Sequence, residues 1–160
     1  MEIIRAALPV WDAALPTLRI GVDRLTLAKR RWRGVAEDGR EFGFDLDAPL
    51  ADGAHVFQRE SAVYFIAQKY EPVLELRIAD WLAPHPTPAS PLLLLGGLRI
   101  ATDAARLGWV IGNLHFPLEV TAEAIRVADD PALRQLFARE SLPFTACKRV
   151  FHPLSGGHRH

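Results

Sequence analysis

Four of the six histidines in this chain sit where they could act on one metal ion. His115 is framed as Gly112-Asn113-Leu114-His115-Phe116-Pro117, and the C-terminus reads His152-Pro153-Leu154-Ser155-Gly156-Gly157-His158-Arg159-His160. Neutral imidazole is the commonest protein ligand for late first-row metals. His158 and His160 lie beyond two glycines and are expected in a flexible tail that can fold onto an ion and leave again. A single imidazole per chain leaves most of a coordination sphere to water. A two-fold dimer removes that weakness by bringing the same residue to its axis twice. The expected site is therefore shared between two copies: two His115 side chains, completed by His158 and His160, with His152 as a further tail candidate. In an extended segment residues two apart face the same way, so His158 and His160 can turn both rings to one ion. An exposed, partly preorganised site of this kind suits transient metal handling rather than catalysis. Ligating imidazole must be neutral, so affinity is expected to fall below about pH 6.5. Imidazole accepts nickel, copper, zinc and cobalt, and donor type alone does not choose among them.

The remaining candidates read more simply. His55 and His85 are isolated and are expected to be surface residues. Asp129-Asp130-Pro131 supplies a helix cap, a first-turn acid and a first-turn proline, which explains the acidic pair without a metal or an acid–base role. Cys147, the only cysteine, cannot form an internal disulfide or a paired-cysteine zinc site, and reads as a small buried hydrophobe. A metal-dependent hydrolase needs three fixed ligands, an open position and a base. The sequence offers no His-x-x-x-His and no base near His115, so no catalytic activity is expected. Lys29, Arg31 and Arg33 alternate with Arg30 and Trp32. One strand face then carries three cations, either a solvated face or a docking surface for an acidic partner with Trp32 as its anchor.

Composition limits the classes. The formal net charge is +0, which argues against nucleic acid as the main partner, since phosphate binding needs a basic excess. The start, Met1-Glu2-Ile3-Ile4-Arg5, lacks the pattern of a signal peptide. The most apolar run, Pro91 to Leu95, is far short of the roughly 20 residues that span a bilayer. The expectation is a soluble cytoplasmic protein with no membrane contact.

The elements that must position these residues fall into two halves. Through residue 72 the pattern is of strands. Arg33 to Ala36 and Arg40 to Leu46 flank Glu37-Asp38-Gly39, a hairpin signature. Ala48 to Gly53 is a second break, and Val56-Phe57 and Val63 to Ile66 flank another turn at 58–61. Arg24 to Leu27 reads as a further alternating segment. From Pro72 to Ile78 the alternation opens a second pattern, and the prolines at 84, 86, 88 and 91 make 80–91 a loop. Apolar residues recur at helical spacing over 92–111, including Leu107 and Val110, with Gly112-Asn113 as the stop. Two short strands follow at 116–120 and 124–127, then a helix through Arg139 and a strand over 143–151. The fold class is thus α+β: a small all-β domain over 1–72, a ferredoxin-like βαββαβ domain over 73–151, and a tail over 152–160.

With these pieces in order, the chain resembles the UreE family of urease accessory proteins. The resemblance rests on Arg24 to Leu27, Lys29 to Arg33, Glu37 to Glu41, Asp45-Leu46, Leu50, Asp52-Gly53, Glu71 to Leu74, Leu107 to Pro117, Phe151 and the histidine-ended tail. It implies a metallochaperone that binds Ni²⁺ (with Zn²⁺ or Cu²⁺ able to substitute in vitro) for urease maturation. It further implies a peptide-binding kind of N-terminal domain and a homodimer through the C-terminal domains. The implied partners are the urease accessory GTPase and the complex holding urease apoprotein. The chain has no phosphate-binding Gly-x-x-x-x-Gly-Lys-Ser/Thr motif, so nucleotide chemistry would belong to the partner. It departs from the family at Leu114, where a basic residue is usual, and at Ala128 to Pro131, where auxiliary histidines are common. The 80–97 stretch is also longer and richer in proline than is typical. The alternative is a peptide-binding adaptor of the same maturation complex that works without metal.

Overall fold

The computed structural model describes residues 1–82 and 105–154. The chain forms two compact units, Met1–Tyr70 and Glu71–His160.

The first unit is built from six strands and one short helix: β1 (Glu2–Ile4), β2 (Thr17–Val22), α1 (Arg24–Leu27), β3 (Arg31–Val35), β4 (Glu41–Asp45), β5 (His55–Arg59) and β6 (Ala62–Gln68). They make two three-stranded sheets, ordered β1-β4-β3 and β2-β6-β5. Alternation sends Phe42 and Phe44 from the first sheet, and Ile20, Tyr64 and Ile66 from the second, into one core. Fully burying such a side chain contributes roughly 1.5–3 kcal/mol. The hairpin at Glu37 to Gly39 forms as expected. Gly39 takes φ 82°, where a side chain would be strained. Asp38 fixes the turn twice, accepting from Arg40 N–H at 3.1 Å and from the Tyr64 hydroxyl at 2.7 Å.

One segment differs. Arg24 to Leu27 is a helical turn, not a strand. Asp23 caps it, its Oδ1 accepting from Thr26 N–H at 2.9 Å. Four residues are too few to establish a period, and a capping aspartate is worth about 1 kcal/mol at a helix start.

The second unit contains β7 (Glu71–Arg77), α2 (Ile78–Leu82), a helix α3 over 105–113, β8 (Leu118–Val120), β9 (Ala124–Ala128), α4 (Pro131–Arg139) and β10 (Thr145–Arg149). Its sheet runs β10-β7-β9-β8, antiparallel at every pairing. That is the ferredoxin-like order, the N-terminal strand and the third strand lying at the centre. Leu74, Leu76, Ile125 and Val127 point from one sheet face onto Leu107 and Ile111 of α3 and Leu133, Leu136 and Phe137 of α4. Ile78 to Leu82 is helical where a loop beginning at residue 80 was expected. The expected loop beyond residue 82, and the start of the helix expected from residue 92, lie outside the described residues. Asp130 caps α4 with Pro131 in the first turn. The cap thus falls on Asp130 and not on Asp129, and the first turn holds no acid; Asp129 lies before the cap and holds Arg134 through two bonds, at 2.6 and 2.7 Å. The Arg134 hydrogen bonds hold its carboxyl below the usual range.

The sheet face away from α3 and α4 carries charge. Arg126 Nε donates to Glu75 at 2.7 Å and its Nη1 to Glu119 at 3.3 Å, while Arg149 Nε reaches Glu75 at 3.4 Å. Both glutamates are buried. Hydrogen bonding from Arg126, then from Arg149, depresses the Glu75 carboxyl against the opposing cost of burial.

Candidate metal centre

His115 is set by the end of α3. Phe116 precedes Pro117, and a residue before proline is pushed out of helical geometry. The helix must therefore close at 115. His115 adopts φ 59°; its N–H donates to Gly112 C=O at 3.0 Å, and Phe116 N–H donates to Ile111 C=O at 3.3 Å. This 5→2 and 6→1 pair is a Schellman cap, and Phe116 supplies its apolar contact by packing on the core that contains Ile111. The stop expected at Gly112-Asn113 thus falls later. Leu114 N–H still reaches Val110 C=O at 3.2 Å, so both residues remain inside the last turn. The left-handed position goes to the histidine, where a side chain costs roughly 1–2 kcal/mol relative to the right-handed region.

The cap leaves the His115 ring exposed. Close by in sequence, Trp109 is 68% exposed and Leu114 is 49% exposed. A Cβ built at Gly108 or Gly112 would meet nothing within 4 Å. The exposed side of α3 thus carries Trp109 between Arg106 and Asn113, with low points at its two glycines.

The approach to the tail is fixed on the same edge of the sheet. β10 lies at one edge and β8 at the other. Five residues after β10 ends, Leu154 N–H donates to Leu118 C=O at 2.7 Å. The intervening segment crosses the charged face, with Phe151 fully buried and His152 N–H donating to Glu119 at 3.4 Å. The His152 ring itself is exposed. The root of the tail is thus bonded three residues beyond His115. His158 follows Leu154 by four residues, a reach of up to ~13–14 Å. His158, His160 and His85 lie outside the described residues. His55 belongs to the first unit, stacked on Trp11 with centroids 3.9 Å apart. Among the described residues no three His, Cys, Asp or Glu side chains converge as a metal site.

On β3, Arg31 and Arg33 are exposed and Trp32 turns to the other face, stacked on Phe44 at 3.6 Å. Trp32 is half-buried: it packs on the core and also borders a cavity with Arg31 and Arg33. Lys29 precedes the strand and is exposed. The root of the tail and the Glu119–Arg126 pair were not read from the sequence, although Leu118-Glu119-Val120 alternates and Arg126 is well placed for a cross-strand partner.

Residues 97–160 match the family described as UreE urease accessory protein, C-terminal domain. The similarity extends over most of the chain. A urease accessory protein UreE from Nitrosococcus oceani is 29% identical over 138 residues, covering 82% of this chain and 71% of the relative. The one from Azorhizobium caulinodans is 28% identical over 143 residues, 86% of this chain and 60% of the relative. The one from Ralstonia nicotianae is 32% identical over 141 residues, 85% and 58%. The sequence matches the UreE family. The chain spans 71%, 60% and 58% of the length of these three relatives. The match is to accessory proteins, not to enzymes. No helix of the described residues is long and apolar enough to cross a membrane.

Proposed function

We propose that this chain is a cytoplasmic nickel metallochaperone that delivers Ni²⁺ for assembly of the urease metallocentre. In this reading the metal is cargo, held between two copies of the chain. The observation that carries the proposal is His115, exposed on its left-handed cap at the end of the helix that carries exposed Trp109. A histidine kept where glycine would be easier implies a use for the ring. A second copy packing on α3 at Trp109 would bury that ring, and the open positions at Gly108 and Gly112 would allow close approach. His158 and His160 would then complete the sphere from a root already fastened to β8, with His152 as an auxiliary ligand. Nitrogen donors in this number suit nickel, and zinc or copper would also bind in vitro. The partners are the urease accessory GTPase and the complex that holds urease apoprotein, met partly through the cationic face of Lys29, Arg31 and Arg33.

Equilibrium dialysis against nickel tests the metal site on three forms: the intact chain, the chain ending at Ser155, and His115→Gly. Glycine removes the ring while keeping the cap. Loss of high-affinity nickel in His115→Gly, with partial loss on truncation, is the expected result; unchanged binding in His115→Gly removes the shared site. The second reading is a metal-independent peptide-binding adaptor of the same maturation complex. It is favoured by the cationic strand face and by the lack of a converged ligand set among the described residues. On that reading His115→Gly leaves partner binding and cellular urease activity intact.

A further inference from the structure

Strand β5 carries an irregularity that aims a ring at one end of the first unit. Its pairing with β6 shifts between His55 and Phe57. Consecutive residues Val56 and Phe57 therefore both pack on the core, which strict alternation would forbid. Phe57 meets Phe42 of β4 with ring centroids 5.6 Å apart and Tyr64 of β6 at 5.8 Å. It also lines a cavity of about 310 Å³, together with Arg40, Arg59, Glu60 and Ser61. Small-ligand pockets start near this size, at roughly 300 Å³.

The two arginines at this cavity are not used up by the fold. Arg40, just before β4, is half-buried, and its Nε is buried without a hydrogen-bond partner. Its Nη1 meets Glu2 only at 3.8 Å, too long for a hydrogen bond. Folded chains leave few buried polar atoms unpaired, so a guanidinium held this way is not there to satisfy the fold. Arg59 Nε donates to Ser61 Oγ at 2.9 Å, which steadies the exposed side chain across the β5–β6 turn and leaves both terminal nitrogens for other acceptors. The planar fork of arginine matches a carboxylate, and the Phe57 ring offers an apolar surface beside it. Charge narrows the ligand further. Glu60 on the rim and Glu2 beside Arg40 balance the two guanidinium groups, so a dianion such as a phosphate monoester would meet two carboxylates. A monoanion is the better match.

We propose that this cavity binds a small carboxylic acid with a flat apolar body. Its carboxylate accepts from the terminal nitrogens of Arg40 and Arg59, and its body lies on Phe57. The site shares no residue with the proposed metal centre.

The test is a chemical-shift titration of the intact chain with sodium benzoate, followed at the Ser61 N–H and the Phe57 ring. Benzamide serves as the uncharged analogue and phenyl phosphate as the dianion. Benzoate is expected to give saturable shifts with a Kd on the order of 1 mM, as suits a fragment of its size. Benzamide should give none, and phenyl phosphate should bind more weakly than benzoate. Arg40→Gln should weaken benzoate about tenfold and Arg59→Gln by a smaller factor. Arg59 is exposed, so its variant keeps the fold even if Arg40→Gln does not. Arg139→Gln, an exposed arginine of the other unit, should change nothing. Absence of saturable benzoate shifts, equal shifts with benzamide, tighter binding of phenyl phosphate, or unchanged binding in Arg59→Gln overturns the proposal. Nickel dialysis of Arg59→Gln should match the intact chain, which keeps this site separate from the metal reading.

Discussion

The two units treat the same ingredients in opposite ways. In the second unit, Arg126 is held between Glu75 and Glu119 on a sheet face that Phe151 helps to cover. In the first, Arg5, Arg30 and Arg33 lie on an open sheet face without ionic partners among the described residues. Left-handed backbone shows a parallel contrast. Among the described residues the first unit uses glycine, at Gly39 and Gly53, whereas the second uses His115 and Ser141. Where a charge is paired and covered it fixes the structure; where it is left open it is available to a partner. Where the chain takes glycine at a left-handed turn, the turn alone matters. Where it takes histidine or serine, the side chain is carried at the cost of left-handed strain.

The strongest way to break the first contrast is to remove one arginine from each unit. Arg126→Met leaves Glu75 only the longer Arg149 contact and Glu119 only the His152 N–H, and should cost up to ~3–5 kcal/mol, as breaking a buried pair does. Arg33→Met, on an exposed face, should stay within about 0.5 kcal/mol. Urea denaturation of the two variants measures both. Similar losses would mean that the charges of the two units do the same work.

Acid titration sharpens the same comparison. Glu75 is depressed in the folded chain, so between its folded and unfolded pKa values the unfolded state binds more protons. Stability must therefore rise with pH across that window and be lost as pH falls below about 4.3, the ordinary glutamate value. Thermal melts from about pH 6 down to pH 3, followed by the ring signals of Phe137 in the second unit and Tyr64 in the first, should show this loss in the second unit. Arg126→Met should remove most of the dependence assigned to Glu75.

The turns test the second contrast, with smaller effects than the loss of Arg126. Gly39→Ala should destabilise by ~1–2 kcal/mol. His115→Gly should leave stability unchanged or raise it by up to ~1 kcal/mol, by relieving the left-handed side chain. Differential scanning calorimetry of the two variants reads the sign. Destabilisation by His115→Gly would show that the ring supports the fold, and would weaken the case for its use in metal binding.

Much of this architecture can be read from the residues in order. Asp38-Gly39 marks a hairpin because only a residue free of Cβ strain turns so tightly. Leu74, Leu76, Ile125 and Val127 mark sheet faces by alternation, and Asp130-Pro131 marks a helix start by its capping chemistry. The misreadings have physical causes. Arg24 to Leu27 is too short for alternation to outweigh the cap at Asp23. Gly112-Asn113 looks like a stop, but the restriction at Phe116 before Pro117 and the packing of Phe116 place the cap at His115.

The local chemistry of the sequence by itself determined the turns, the caps, the apolar faces and which side chains could bind a metal. Only tertiary structure decided that Trp32 points inward while Arg33 stays open, because that depends on which face of β3 meets the aromatic core. It likewise decided that the chain after β10 crosses the sheet and bonds at Leu118, three residues from His115. Sequence fixes what each residue can do within a few neighbours. Burying Phe151 and pairing Leu154 with an edge strand depend on residues brought together across the sheet, and no local pattern contains that contact.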